Sequence, residues 1–335
     1  MSCAVDASRC VRCAACATVA PAHFAVGAGK ARVLRAPSSE AERVSCRAAA
    51  ALCPTGAIEL GTALEGATAP VSAPPAYAQL IDVAEGVRWK VAELPWTKFD
   101  ASQAHPTLLA VVREMAFSEQ TTFSATQRFM QAFGDDPDLS QWISVWFYEE
   151  TRHPLVLLRW LELAGQKPGG DFVARGRVSA PFMKSRLGTL ITNVISEMFA
   201  AEAYRGLATH APEPLLAALA WRICADEARH GASFFTFARR TLEVSAQPGR
   251  DRLDALKVLH FWVNESGAVS HPVNETMTKL SDVRREGGLL PPFVPPLERV
   301  AQVVGLLTGL KLETPADLQP LLHEHTARLH AGAAV

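Results

Sequence analysis

The chain has 335 residues, 49% of them apolar and 20% charged, with a formal charge of −1. That balance excludes a disordered chain and offers no bulk charge for a nucleic-acid partner. No apolar run approaches the roughly 18 residues of a membrane span, and MSCAVDASRC lacks the apolar core of a secretory signal, so the expectation is a cytoplasmic protein with no membrane or nucleic-acid partner.

Residues 1–60 have little helical periodicity and hold six of the seven cysteines: Cys3, Cys10, Cys13, Cys16, Cys46 and Cys53. Clustered cysteine without an export signal points to metal or redox chemistry rather than to a disulfide framework. CVRCAAC sets Cys10, Cys13 and Cys16 on a tight loop, and Cys53 follows later in CPTGAI. Thiolates spaced in this way can bind three irons of one cubane, with a remote Cys-Pro supplying the fourth ligand. Four ligands favour one [4Fe–4S] cluster over [3Fe–4S]. Structural zinc is the alternative, although three cysteines within seven residues crowd a tetrahedral ion.

The same segment resembles the single-cluster bacterial ferredoxins over its whole length, including HFAVGAGKARVL and CPTGAIEL. The resemblance implies a small α+β ferredoxin domain over residues 1–60. Two-cluster ferredoxins place another Cys before a proline, where this chain has Ala20-Pro21, so a single cluster is expected. In some single-cluster relatives Cys46 would pair with a cysteine at position 20; Ala20 leaves Cys46 a free buried thiol. Cys3 is assigned no role.

Residues 61–76, GTALEGATAPVSAPPA, read as a linker. From residue 77 to 335 the pattern becomes that of an all-α bundle. Apolar residues recur at helical spacing over 107–133, 139–164, 182–210, 214–244 and 252–281, with shorter helices over 296–310 and 315–331. Turn-forming stretches at 134–138, 165–170, 211–214 and 246–250 separate the long helices.

Two related strings, EETRH (149–153) and DEARH (226–230), each contain Glu-x-x-His: Glu150/His153 and Glu227/His230. At i and i+3 both side chains leave one helix face and can reach one ion. Glu119 precedes Glu150 by 31 residues, and Glu197 precedes Glu227 by 30. Counted to the turns at 134–138 and 211–214, each glutamate sits about 20 Å of helix from its hairpin, so all four reach similar depth. Glu114 and Glu202 compete for these roles but match depth less well. Two Glu plus two Glu-x-x-His is the ligand count of a ferritin-like di-iron site, with two irons or an iron–manganese pair. The alternative is a buried ion-pair network with Arg152 and Arg229. Glu149, Asp226, Arg152 and Arg229 fit an outer ring that orients the imidazoles, or plain surface charge. Trp146 and Ile223, one turn before the Glu-x-x-His glutamates, are placed to wall the site, and plain core packing explains them equally well. Pro154 cannot donate to the carbonyl of Glu150, which predicts a kink there.

EETRH, ICADEARH and the tail GLKLETPADLQPLL resemble the acyl-carrier-protein desaturases, a soluble ferritin-like family. By matching positions, that resemblance implies Glu119, Glu150, His153, Glu197, Glu227 and His230 as iron ligands. The helices also resemble the di-iron arylamine N-oxygenases, whose additional histidine ligand is replaced by Ile223. Ala200 stands where desaturases carry a threonine, which leaves desaturation, hydroxylation or another oxidation open.

Fusion to a ferredoxin supplies the electrons such a centre needs. The expected enzyme is a non-heme di-iron oxidoreductase using O2 and an organic substrate, by analogy an acyl chain on a carrier protein. An upstream reductase would feed the cluster, and a homodimer is compatible with the sequence. A di-iron N-oxygenase, a rubrerythrin-like peroxide reductase and a non-catalytic iron or electron-transfer protein are the other readings. Phe117, Phe123, Phe129 and Phe199 are candidates to line an apolar channel, although aromatics at helical spacing ordinarily belong to a core.

Overall fold

Two small antiparallel ladders and two helices make up the N-terminal α+β domain, and the described residues that follow it are mostly helical. The computed structural model describes residues 1–27, 29–61, 76–178, 183, 185–264, 271, 273, 276, 279–282 and 288–330. Most of the linker expected over 61–76 lies outside these residues, as do parts of the helix expected over 252–281.

In the N-terminal domain β1 (Ser2–Val5) pairs with β4 (Ile58–Gly61), and β2 (Phe24–Val26) pairs with β3 (Ala31–Val33). Between them run α1 (Ala15–Val19) and α2 (Glu40–Leu52). Helix α2 starts on a capping box in which Ser39 and Glu42 satisfy each other's backbone N–H groups. Its buried face, Cys46, Ala48, Ala49 and Leu52, has mostly small side chains, which lets it pack closely on α1 and β4.

The helical part begins with α3 (Ala76–Val87) and three short 3₁₀ turns. The first predicted long helix is two helices, α4 (Pro106–Ser118) and α5 (Thr121–Ala132), interrupted at Glu119–Gln120. The sequence pattern missed this break because the apolar spacing continues across it. At the break, a Cβ on Gly176 would come within 2.7 Å of the Phe117 carbonyl oxygen, so α8 (Gly170–Gly176) can close on it only with glycine there. The second predicted helix is likewise split into α6 (Pro137–Glu150) and α7 (Arg152–Leu163) at Thr151. Pro154 accounts for this split, since the Glu150 carbonyl loses its helical donor.

Helices α9 (Arg186–His210) and α10 (Pro214–Glu243) are long and continuous and form the central hairpin. Glu213 caps α10 by accepting from Leu215 and Leu216 N–H, and it also accepts the Trp160 indole N–H at 2.6 Å. At the far end Arg240 bridges Asp136 and Asp138, tying α10 to the start of α6. Then follow α11 (Pro248–Val263), α12 (Leu297–Thr308) and α13 (Leu318–His330).

The four candidate channel phenylalanines are engaged in packing. Phe117 meets Phe172 at 5.3 Å, Phe123 meets Phe147 at 5.1 Å, Phe129 meets Phe234 at 5.5 Å and Phe199 meets Trp262 at 5.0 Å, centroid to centroid. The N-terminal domain seats on the bundle through α1 against α10 and α2 against α12. Arg239 donates to Ser45 Oγ at 3.0 Å, and Arg299 donates to the Ala51 carbonyl at 3.1 Å. Among the described residues, no helix is long and apolar enough to cross a membrane.

Candidate metal centres

Cys10, Cys13, Cys16 and Cys53 converge on one small, largely apolar cavity of about 20 Å3, walled also by Val5, Val26 and Ile58. The loop achieves this by placing Arg12 and Ala14 in the left-handed region, at φ 61° and 65°. For side chains with a Cβ that costs about 1–2 kcal/mol per residue. Backbone N–H groups of Ala31 and Ala57 point at Cys10 Sγ and Cys53 Sγ, at 3.4 and 3.3 Å. Burial raises the Cys13 thiol well above its ordinary range and pushes Cys16 up to about 12; nearby thiols add to both. Four soft ligands, amide donors to sulfur and an apolar wall suit an iron–sulfur cluster. Cys46 is a buried free thiol, as expected, with Cys3 as its neighbour.

The six carboxylate and imidazole residues singled out in the sequence also meet in the structure. Ligand atoms of Glu119, Glu150, His153 and Glu227 lie within 4.8 Å of one another, and so do those of Glu150, Glu197, Glu227 and His230. Glu150 and Glu227 belong to both groups, so the geometry offers two adjacent positions joined by two shared carboxylates. Both imidazoles turn Nδ1 inward. His153 Nδ1 is 3.3 Å from Glu227 and 3.5 Å from Glu119, and His230 Nδ1 is 2.8 Å from Glu150. Yet these contacts are poorly aligned, and Glu150 Oε1 and His153 Nδ1 are buried without a hydrogen bond of good geometry. Unpaired donors and acceptors of that kind are costly unless a cation lies among them.

Glu119 sits at the α4–α5 break rather than in mid-helix. The break still aims it inward, where the Tyr204 hydroxyl donates to its Oε1. Glu197 accepts the Trp146 indole N–H at 3.2 Å, and Glu150 accepts the Thr122 hydroxyl at 3.1 Å. Gly231 lets α9 and α10 approach here; a Cβ on it would meet Glu197 Cβ at 3.2 Å. Glu114 and Glu202 are elsewhere, paired with Lys279 and with Arg205 and Arg299.

An outer ring fixes the imidazoles. His153 Nε2 faces Asp226 at 3.3 Å, and His230 Nε2 faces Glu149 at 2.9 Å. Arg229 spans both acids at 2.7 and 2.8 Å, Arg152 reaches Asp226 at 3.1 Å, and Arg88 reaches Glu149 at 2.9 Å. The Trp89 indole donates to Asp226 at 2.8 Å, and the Arg152 guanidinium lies 4.3 Å over its ring. The guanidinium groups thus pair with the outer acids, and no ion pair joins Arg152 or Arg229 to the four inner glutamates among the described residues. That weighs against a purely structural ion-pair network.

Electrostatics follow from this arrangement. Burial raises Glu119, Glu150 (to about 7) and Glu197, and mutual repulsion with Glu227 adds to each. Burial also pushes Glu227 upward, but the two imidazoles beside it more than offset that and leave it low. Burial opposes charge on His153 and His230, yet the surrounding carboxylates raise both well above the usual imidazole range. The negative field that holds protons on two imidazoles would equally favour two divalent cations. Oxygen and imidazole donors suit iron or manganese.

Sequence reasoning missed Arg88, Trp89, Thr122 and Tyr204. Tyr204 had a usable signal, lying two helical turns after Glu197 on α9; Arg88 and Trp89 reach in from outside the periodic segments and had none.

The two centres adjoin. Helix α1, which carries Cys16, packs on α10, which carries Glu227 and His230. Cys224, one turn before Glu227, is close enough to influence Cys13 and to feel Glu227. A cleft with about 670 Å3 of empty space, open to solvent, leads to Glu119, Glu150, Glu197 and Glu227.

Residues 5–60 match the family model described as the 4Fe-4S single cluster domain of Ferredoxin I. No curated protein matches the chain. The N-terminal domain is thus of the single-cluster ferredoxin type, which supports an iron–sulfur cluster and electron transfer. The match does not extend into the helical part.

Proposed function

We propose that this chain is an O2-dependent oxidoreductase whose electron donor is its own N-terminal domain. Glu119, Glu150, His153, Glu197, Glu227 and His230 would hold two iron ions in a ferritin-like bundle, as the likeness to the acyl-carrier-protein desaturases implies. The observation that carries this reading is the sharing of Glu150 and Glu227 between two four-residue ligand groups. Bound there, a pair of irons supplies the one-electron redox chemistry needed to use O2 against an organic substrate.

The chain's own residues do the rest. Glu149 and Asp226 accept from the outer imidazole nitrogens, keeping Nδ1 of each ring free to ligate. Arg88, Arg152 and Arg229 face those two acids, and Arg88 also pairs with Glu85, so three guanidinium groups meet three carboxylates and the outer ring adds little net charge to the centre. The Tyr204 hydroxyl donates to Glu119 Oε1 and keeps its own proton, because burial and the neighbouring carboxylates raise it well above the ordinary phenol range. Helix α1, which carries Cys16, packs on α10, which carries Glu227 and His230, so a cluster held by the four cysteines would lie on the side of the N-terminal domain next to the helix bearing those two residues. Covalent linkage keeps the donor at high effective concentration. An external reductase would refill the cluster.

Anaerobic purification should yield about six irons and four sulfides per chain. Titrating the reduced cluster against the oxidised di-iron site should then restore the absorption of the cluster, as it is oxidised, while the absorption of the ferric site is lost. Absence of transfer between them would refute the proposal.

A further inference from the structure

We infer that Arg299, a residue of the helical bundle, is a positioning residue for the cluster: it sets the charge at the Cys53 end of α2 and so raises the reduction potential of the donor. This rests on the cluster reading of the four cysteines and is independent of the di-iron centre. Reduction takes the cluster from [4Fe–4S]2+ to [4Fe–4S]1+ with one electron from an external reductant, and no bond is made or broken. The added negative charge is opposed by negative groups nearby and favoured by positive ones.

Helix α2 ends at Leu52, and the ligand Cys53 is its C-terminal cap. Carbonyls left over at such an end carry roughly half a negative elementary charge, aimed here at the cluster. The last turn of α2 holds no basic residue of its own. The bundle supplies one: Arg299 Nε donates to the Ala51 carbonyl at 3.1 Å. Ala51 is two residues before Cys53, and the Cys53 thiol is close enough to act on the guanidinium. Arg12 and Lys30, which donate to the Gly27 and Cys10 carbonyls at 3.0 and 2.5 Å, are cations of the N-terminal domain itself. Local preference does not explain Arg299. It stands in the first turn of α12, where a cation opposes the dipole of its own helix. Burial also works against its charge, and Glu202 and Cys53 offset that only in part. Glu202 Oε2 lies 3.5 Å from Arg299 Nη1 and pairs with Arg205 as well. The field at Cys53 is therefore a balance between a cation from α12 and an acid from α9. Because both come from the bundle, the donor reaches its full potential only when seated there.

The test is an anaerobic redox titration of the cluster in the full chain, following the electron paramagnetic resonance signal of the reduced form. Arg299→Gln should make reduction about tenfold less favourable, a shift of about 59 mV to more negative potential. Glu202→Gln, which releases the cation from its acid, should move the equilibrium threefold or more in the other direction. Arg239→Ala removes the contact with Ser45, in mid-helix on α2, and should leave the potential unchanged. A loosened interface would shift all three variants the same way, whereas a charge effect gives opposite signs. A wild-type potential in Arg299→Gln would overturn the inference, as would an absent or same-signed shift in Glu202→Gln, or a negative shift in Arg239→Ala equal to that in Arg299→Gln. Should Arg299→Gln assemble no cluster, Glu202→Gln carries the test, since it leaves the Ala51 contact in place. Absence of acid-labile sulfide from the wild-type chain would overturn the inference together with the proposed function. Failed electron transfer to the carboxylate centre would sink the proposed function alone, because these potentials are read without it.

Discussion

Replacing Gly231 with alanine probes the closest approach of the two helices that build the centre. The added Cβ would lie 3.2 Å from Glu197 Cβ and 3.7 Å from the Val194 carbonyl oxygen. Glu197 Cβ is fixed to the α9 backbone, so the helices must part by a few tenths of an ångström. Overpacking of this kind costs about 1–3 kcal/mol. Alanine in place of glycine within a helix returns about 1 kcal/mol. The metal-free protein should therefore lose only about 0–2 kcal/mol, read by urea unfolding. Metal binding should suffer more, because ligand positions matter at about the 0.2 Å level. Glu197 belongs only to the group containing His230, so one of two metal affinities should fall about tenfold, or 1.4 kcal/mol, while the other holds. Gly231→Val should extend the trend. Chelator-competition titration with Fe(II) checks it, and two wild-type affinities in folded alanine and valine variants would refute the placement of Glu197 in the centre.

Asp226→Asn removes the anion facing His153 Nε2 and a partner of Arg152 and Arg229. It should cost about 10–100-fold in metal affinity and about 3–5 kcal/mol of stability, measured by metal competition and by denaturant unfolding. Cys13→Ser should abolish the visible absorption of the cluster while metal bound by the carboxylates persists; loss of both on metal analysis would show the centres to be interdependent. His271 is held neutral by burial, with its pKa near 4 against about 6.5 unfolded. Below pH 6.5 the unfolded chain takes up the proton first, so metal-free stability should fall by about 3 kcal/mol between pH 6.5 and 4 on this account. His271→Gln should lack that component, and identical pH slopes for both proteins in urea unfolding would contradict it.

Much of the candidate centre was legible along the chain because helical spacing is local. Glu150/His153 and Glu227/His230 share a helix face wherever that helix goes, and CVRCAAC must fold into a tight loop of thiols. The matched intervals of Glu119 and Glu197 carried the depth argument, since rise per residue converts sequence into length. Even the interruption at Thr151 was implied by Pro154.

Tertiary structure decided which faces meet, and for that no single-element pattern suffices. Glu119 reaches the centre from a break the apolar spacing concealed. Arg88 and Trp89 complete the outer ring across more than sixty residues of sequence, at Glu149 and Asp226 respectively. The cleft beside the centre draws Ser118 and Thr121, Asn193 and Ser196, and His271 and Thr276 from three separated segments, while the phenylalanines went to the core. Spacing fixes the direction of a side chain relative to its own axis; its partners depend on how axes pack, a long-range balance of burial, close contact and charge.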